Sequence, residues 1–150
     1  IAKWLRRSSF TWHRRSEGPG PAGADVELVD TTGELEQLAR AGDVAFIGKS
    51  WGPHRGGQNP LDAAFAGLPL IYGPHLDNFR TLGTALEEEG VAWTVHNREE
   101  GLERLRWLLK NPSLRWEIAA RLRRWACRQA GATERVWDKI LRHFALENGG

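Results

Sequence analysis

The chain has 150 residues, 41% of them apolar, with 21 Lys and Arg against 19 Asp and Glu and a formal net charge of +2. One domain is the default at this length, and no apolar run approaches the ~18 residues that would span a bilayer. A single cysteine, Cys127, excludes an internal disulfide and fits a reducing setting. It is expected as a small, buried or half-buried helix residue.

The chain begins at Ile1 and contains no Met, which leads us to expect a piece of a longer protein. The small net charge hides a segregation. Residues 1–15 carry five basic side chains and no acid, residues 16–97 carry four basic and twelve acidic, and residues 98–150 carry twelve basic and seven acidic. Basic ends of this kind suit an anionic partner such as a membrane surface, a phosphorylated substrate or nucleic acid. They equally suit solvated helix faces.

Residues 1–8 read as the end of a helix. Residues 10–15 alternate as a strand does, residues 16–24 are a loop by their Gly and Pro content, and residues 26–29 form a short strand. Thr31 and Glu34 have capping-box spacing for a helix that runs to Ala41 and stops at Gly42. Residues 43–47 are a buried-type strand.

A twelve-residue stretch follows, containing Gly48, Gly52, Gly56 and Gly57, before Asn59-Pro60 opens a short helix that ends at Gly67. Asn at the cap and Pro at the first helical position are start signals. Strand, glycine-rich loop and helix start together bring backbone N–H groups towards a phosphate. Loops of this length without structure of their own are commonly functional or disordered.

Residues 68–72 form another buried-type strand, and Gly73-Pro74-His75-Leu76-Asp77 a second marked turn. Asp77 or Asn78 is expected to cap a helix closed by Gly90, and residues 91–95 form the last strand. Asn97 and Glu100 repeat the start signal for a helix to Lys110, which Asn111-Pro112 breaks. Two further helices are expected over residues 113–129 and 133–146.

Strands alternating with helices predict an α/β, Rossmann-like, doubly wound and mostly parallel sheet with helices on both faces and the last helices appended. Ligands of such sheets bind beyond the carboxyl ends of the strands. Both glycine-marked turns, after Ile47 and after Tyr72, fall there and are expected to line one crevice. Four of the eight tryptophans, Trp107, Trp116, Trp125 and Trp137, lie among arginines in the last helices. They suit packing under arginine stems better than stacking platforms for bases.

Several chemistries are excluded. The five histidines are scattered, with no i, i+4 pair and no nearby cysteine, so no metal site is expected. Gly48-Lys49-Ser50 echoes the end of a P-loop, but Asp43 stands where that motif needs Gly, and Gly52-Pro53 oppose the required helix. The same residues oppose reading Gly48-Lys-Ser50-Trp-Gly52 as a nucleophile elbow. Asp62, in the first turn after Pro60, suits the helix dipole and also a ribose diol.

The runs Asp30-Thr-Thr-Gly-Glu-Leu, Ala41-Gly-Asp-Val-Ala-Phe-Ile-Gly-Lys-Ser, Gly56-Gly-Gln-Asn-Pro-Leu-Asp and Gly67-Leu-Pro-Leu-Ile-Tyr-Gly-Pro-His-Leu-Asp-Asn-Phe occur in that order. Together they resemble the C-terminal half of bacterial 3-deoxy-D-manno-octulosonic acid (Kdo) transferases, with compatible flanks over nearly the whole chain. The resemblance implies one nucleotide-sugar-binding domain over residues 1–150, the donor half of a two-domain GT-B glycosyltransferase. The donor is then CMP-Kdo. A lipid A precursor is held by the other domain, which also supplies the base. Transfer is inverting and needs no metal or cofactor. The implied location is the cytoplasmic face of the bacterial inner membrane, touched peripherally, with no nucleic acid partner.

Carried over position by position, the resemblance makes Gly48, Lys49 and Ser50 the loop near the nucleotide phosphate, with Gly56, Gly57, Gln58 and Asn59 bringing the helix start to it. It turns Asp62 to the ribose and sets Gly73, Pro74, His75 and Asn78 on the other side of the cleft. No catalytic residue falls in this chain. The family usually has Gly at Lys49, His at Gln58, Glu at Asp62 and Pro at Ala63. Two rival readings remain: a UDP-sugar-binding domain of another GT-B glycosyltransferase or epimerase, and a non-catalytic scaffold whose basic, Trp-rich helices bind anionic membrane or nucleic acid.

Overall fold

A computed structural model describes residues 1–129 of the chain. The helix expected over residues 133–146, with Trp137 and His143, lies outside the described residues. The chain divides into two compact units, Ile1–Leu35 and Glu36–Gly150.

In the first unit, α1 (Ala2–Leu5) precedes two short strands, β1 (Trp12–Arg14) and β2 (Val26–Leu28). They pair in parallel, with Trp12 opposite Val26 and Arg14 opposite Leu28. Polar side chains tie the segments that flank this ladder. The Asp25 carboxylate accepts from the Thr11 amide at 2.8 Å and hydroxyl at 2.7 Å. Asp30 accepts from the Ser16 amide at 3.0 Å and hydroxyl at 2.9 Å. Arg15 reaches both Glu27 and Glu34 at 3.3 Å. The Thr31 and Glu34 pair is not the capping box that its spacing suggests. The Thr31 hydroxyl donates to the Glu34 carboxylate at 2.5 Å, and the helix starts only at Leu35. The two side chains bond each other instead of the backbone, and Arg15 reaches the same carboxylate at 3.3 Å.

The second unit starts at α2 (Leu35–Ala39), whose first residue closes the unit before it, and contains β3 (Ala45–Ile47), α3 (Leu61–Phe65), β4 (Leu70–Tyr72), α4 (Arg80–Glu88), β5 (Ala92–Thr94), α5 (Arg98–Lys110) and α6 (Pro112–Gln129). Its sheet has the order β3-β4-β5, all parallel, with Ala45 opposite Leu70 and Leu70 opposite Ala92. Parallel neighbours need crossover helices, and α3 and α4 provide them. The sequence pattern fits: the strand segments are continuous apolar runs instead of alternating ones, as expected where both faces are covered. Leu70, Ile71 and Tyr72 of the central strand are all buried although successive side chains point to opposite faces. The fold is thus α/β with parallel strands and helices around them, as the alternation predicts. The described strands form two sheets, one in each unit.

Helix α5 packs on β4, and α6 packs on both α3 and α5. Ile118, Leu122 and Trp125 of α6 are buried, a spacing of four and three that places them on one face. Cys127 is exposed, against expectation, because it lies off that face. Asn97 caps α5 as its spacing predicts, accepting from the Glu100 amide at 2.8 Å, while Glu100 accepts from the His96 amide. The start of α4 differs from expectation. Asp77 to Phe79 form one 3-10 turn, and neither Asp77 nor Asn78 caps the helix through its side chain. Asp77 instead pairs with Arg55 at 3.2 Å and Arg80 at 3.0 Å.

The tryptophans are mixed in role. Trp125 is buried beside Phe65, and Arg104 lies over the rings of Trp93 and Trp107 at 5.2 and 4.9 Å, the packing expected of arginine-rich helices. Trp116, at 73% exposure, is not packed in this way.

Candidate functional site

The turns after β3 and β4 are neighbours because those strands pair in parallel and leave their carboxyl ends side by side. Ser50 joins them. Its hydroxyl donates to the Ile47 carbonyl at 2.7 Å and accepts from the Gly73 amide at 2.9 Å, and its carbonyl accepts from the His75 amide at 3.1 Å. At 1% exposure the Ser50 side chain is enclosed. It therefore builds the site from beneath and does not offer its hydroxyl to a ligand. Gly73 is required where the two turns touch, since a Cβ there would run into the Ser50 carbonyl and come 2.5 Å from the Trp51 ring.

Further along, the glycine-rich loop folds back on itself. The Gly57 amide donates to the Lys49 carbonyl at 3.0 Å and the Gln58 amide to the Gly48 carbonyl at 2.9 Å. These N–H groups, which the sequence points towards a phosphate, close the loop instead. The loop then meets the second turn, with the Asp77 amide on the Arg55 carbonyl at 2.9 Å and the Asn78 amide on the Gly56 carbonyl at 3.3 Å. Gly57 has φ of +66°, and a Cβ there would strike the Leu76 side chain. Asn59 accepts from the Leu61 amide at 3.1 Å and so starts α3 from two residues back, with Pro60 buried between. With only five residues, α3 carries little dipole to aim at an anion.

What this produces is an open depression of about 510 Å³ lined by Lys49, Pro53, His54, Arg55, Gly56, Gly57, Gln58, Asn59, Asn78 and Phe79. A smaller cleft of about 130 Å³ opens beside it, with Tyr72, Gly73, Pro74, Asp77 and Arg80 in its wall. Of the residues the sequence singles out, Lys49, Gly56, Gly57, Gln58, Asn59 and Asn78 line the depression, and Gly73 and Pro74 line the cleft. Gly48 and Ser50 form the floor between the turns. Asp62, half-buried in α3, and His75, tied to Ser50 through its amide, lie in neither wall. The sequence reading missed His54 and Arg55. Their place inside the glycine loop was the available signal.

The electrostatics are simple. Arg55 and Arg80 hold the Asp77 carboxyl below the usual carboxylate range, the Arg55 hydrogen bond contributing most. Burial pushes the Tyr72 phenol far up, with Glu87 adding to the effect. Tyr72 thus stays neutral and donates to the Gly83 carbonyl at 3.1 Å, a structural bond at the cleft wall. Among the described residues, no group of three or more His, Cys, Asp or Glu is arranged to hold a metal ion. The arrangement suits reversible binding of a polar anion at the carboxyl edge of a parallel sheet, where such folds place their ligands.

An α/β domain with its loops gathered at that edge is the class defined by fold and site. Comparison with known proteins narrows it. No family model matches the chain. It is 36% identical over 141 residues to a 3-deoxy-D-manno-octulosonic acid transferase of Bordetella pertussis, covering 93% of this chain and 33% of that protein. It is 28% identical over 146 residues to the enzyme of the same name from Chlamydia pneumoniae, covering 97% and 33%. In fold it matches the crystal structure of the C-terminal CMP-Kdo binding domain of WaaA from Acinetobacter baumannii, with a TM-score of 0.75, 24% identity, and coverage of 82% of this chain and 64% of that one. By sequence the chain is similar, along nearly its whole length, to 3-deoxy-D-manno-octulosonic acid transferases, and it spans about a third of the length of these relatives.

Proposed function

We propose that this chain is the donor-binding domain of a Kdo transferase, a GT-B enzyme that moves Kdo from CMP-Kdo to a lipid A precursor with inversion and without a metal or cofactor. The observation that carries this reading is the 36% identity along 93% of the chain to a protein of that name, together with two loops that meet at the carboxyl edge of the sheet. In it, the depression and cleft receive the nucleotide. Gln58, Asn59 and Asn78 offer amide groups to its polar edges, and the glycines let it approach the backbone. Asp62, in the first turn of α3, is kept as the ribose partner in this reading.

The acceptor and the general base belong to a second domain, so this chain alone binds donor without turning it over. The enzyme works at the cytoplasmic face of the inner membrane and touches that surface peripherally. Nucleic acid has no part in the reading.

The test is a titration of the 150-residue chain with CMP, followed by amide shifts. Perturbations gathered at residues 49–59 and 73–80 are the expected result. No response at millimolar CMP, or stronger binding of UDP than of CMP, would overturn the donor assignment.

A further inference from the structure

Lys49 is the one described residue other than glycine with positive φ, at +56°. A side chain rarely adopts that left-handed conformation, because its Cβ crowds the following carbonyl. The backbone there is held from both sides. Ser50 is pinned into the floor, and the Lys49 carbonyl takes the Gly57 amide at 3.0 Å. The loop closure therefore dictates the conformation, and glycine would meet it without strain. Sequence and local structure disagree at this one position, so the lysine needs a reason other than the fold.

The surroundings provide one. Lys49 is exposed on the wall of the depression and makes no ion pair among the described residues. The same wall carries His54 and Arg55 and no carboxylate. Asp77, the acid beside it, is already shared by Arg55 and Arg80. Arg55 thus already has a carboxylate partner, which leaves the Lys49 ammonium as the full charge of the wall without an ion pair among the described residues. The amides of Gly57 and Gln58 are spent on closing the loop, so backbone donors there cannot take over its role.

We propose that Lys49 makes this depression an anion subsite and supplies the cation that pairs with the phosphate of the nucleotide donor. The inference rests on the nucleotide-sugar reading above and adds to it the ionic contact that this one side chain makes. A lysine suits the task as a compact point charge on a flexible stem, which follows a phosphate without fixing its orientation.

Four chains decide the matter: the 150-residue protein, Lys49→Gly, Lys49→Gln and Lys49→Arg. Each is titrated with CMP, with cytidine and with inorganic phosphate at low and moderate salt. CMP carries the phosphate without the sugar's carboxylate, so it isolates the group in question. The expected result is CMP binding weakened about 3–10-fold in Lys49→Gly and Lys49→Gln, as removal of one cation from a solvent-facing phosphate predicts. Cytidine binding should not change, the salt dependence of CMP binding should shrink, and Lys49→Arg should restore it. Lys49→Gly should also melt no lower than the parent chain, since it relieves the left-handed strain, so a folding defect cannot mimic the binding loss.

Equal CMP affinity in all four chains overturns the inference while leaving the donor reading intact. A parent chain that ignores CMP, yet shows Lys49-dependent shifts at residues 49–59 with inorganic phosphate, overturns the donor reading and keeps the subsite. Silence towards both ligands overturns both.

Discussion

The two units of this chain are held by different forces. Within Ile1–Leu35 the only buried hydrophobic side chain is Leu5, and the β1–β2 ladder is flanked by carboxylates that answer hydroxyls, amides and arginines. The Glu36–Gly150 unit is organised around Leu70, Ile71, Leu86, Leu108, Ile118 and Leu122, all nearly inaccessible to water. Its ion pairs lie at the surface around that core, with Ser50 the one buried polar residue among those described. The difference shows where rigidity comes from. Close packing fixes the strand ends to a fraction of an ångström, and a ligand edge built on them inherits that precision. Exposed polar ties fix a register but respond to pH and salt.

The strongest way to test the contrast is in the core. Leu108→Ala removes a side chain with 0% exposure from α5 and should destabilise the protein by about 3 kcal/mol, through lost burial and an unfilled cavity. Denaturant titration checks this, and a change below about 1 kcal/mol would mean that α5 is not integral to the core. Next comes Ser50→Ala. It strips the Gly73 amide of its acceptor in a buried place, with an expected loss of about 2 kcal/mol. The amide shifts of residues 73–75 should move with it. If Ser50→Ala is as stable as the parent, the junction of the two turns rests on packing alone. Asn97→Ala deletes a cap at an exposed helix start and should cost about 1 kcal/mol, with fraying confined to the first turn of α5.

These sites also differ in how readily the sequence discloses them. The strands of the second unit are plain in it, because continuous apolar runs between glycine-marked turns admit few other readings. The Asn97 cap is equally plain, since its acceptor and its N–H lie three residues apart. The crevice between the two turns follows from parallel pairing once the strands are placed. What does not show is anything settled by competition between distant residues. Thr31 and Glu34 have capping spacing, yet the carboxylate is held by the Thr31 hydroxyl and by Arg15, far off in sequence. Asp77 has cap chemistry but binds Arg55, 22 positions away. Ser50 looks like a ligand contact, whereas its hydroxyl is used up between two backbones. Lys49 is the reverse case: only the backbone angle shows that its side chain sits against local preference.

The smallest effect tests the first unit, through acid. Asp25 and Asp30 are held below the usual carboxylate range by hydrogen bonds from Thr11 and Ser16, and Glu34 by Thr31 and then Arg15. Their folded-state affinity for protons is lowered, so their contribution is present above the ordinary carboxylate pKa of about 4. It is lost as pH falls through the depressed values. All three groups face water, so the change should be a loosening of register and not global unfolding. The Thr11 and Ser16 amides, which donate to Asp25 and Asp30, report it directly. Followed from pH 7 downwards, their shifts should hold steady past the point where an unperturbed aspartate titrates and move only below it. The core amides of β4 should stay unchanged over the same range. Midpoints at or above about 4 for Thr11 and Ser16 would show that these carboxylates are merely solvated, and that the polar ladder is held by something other than its acids.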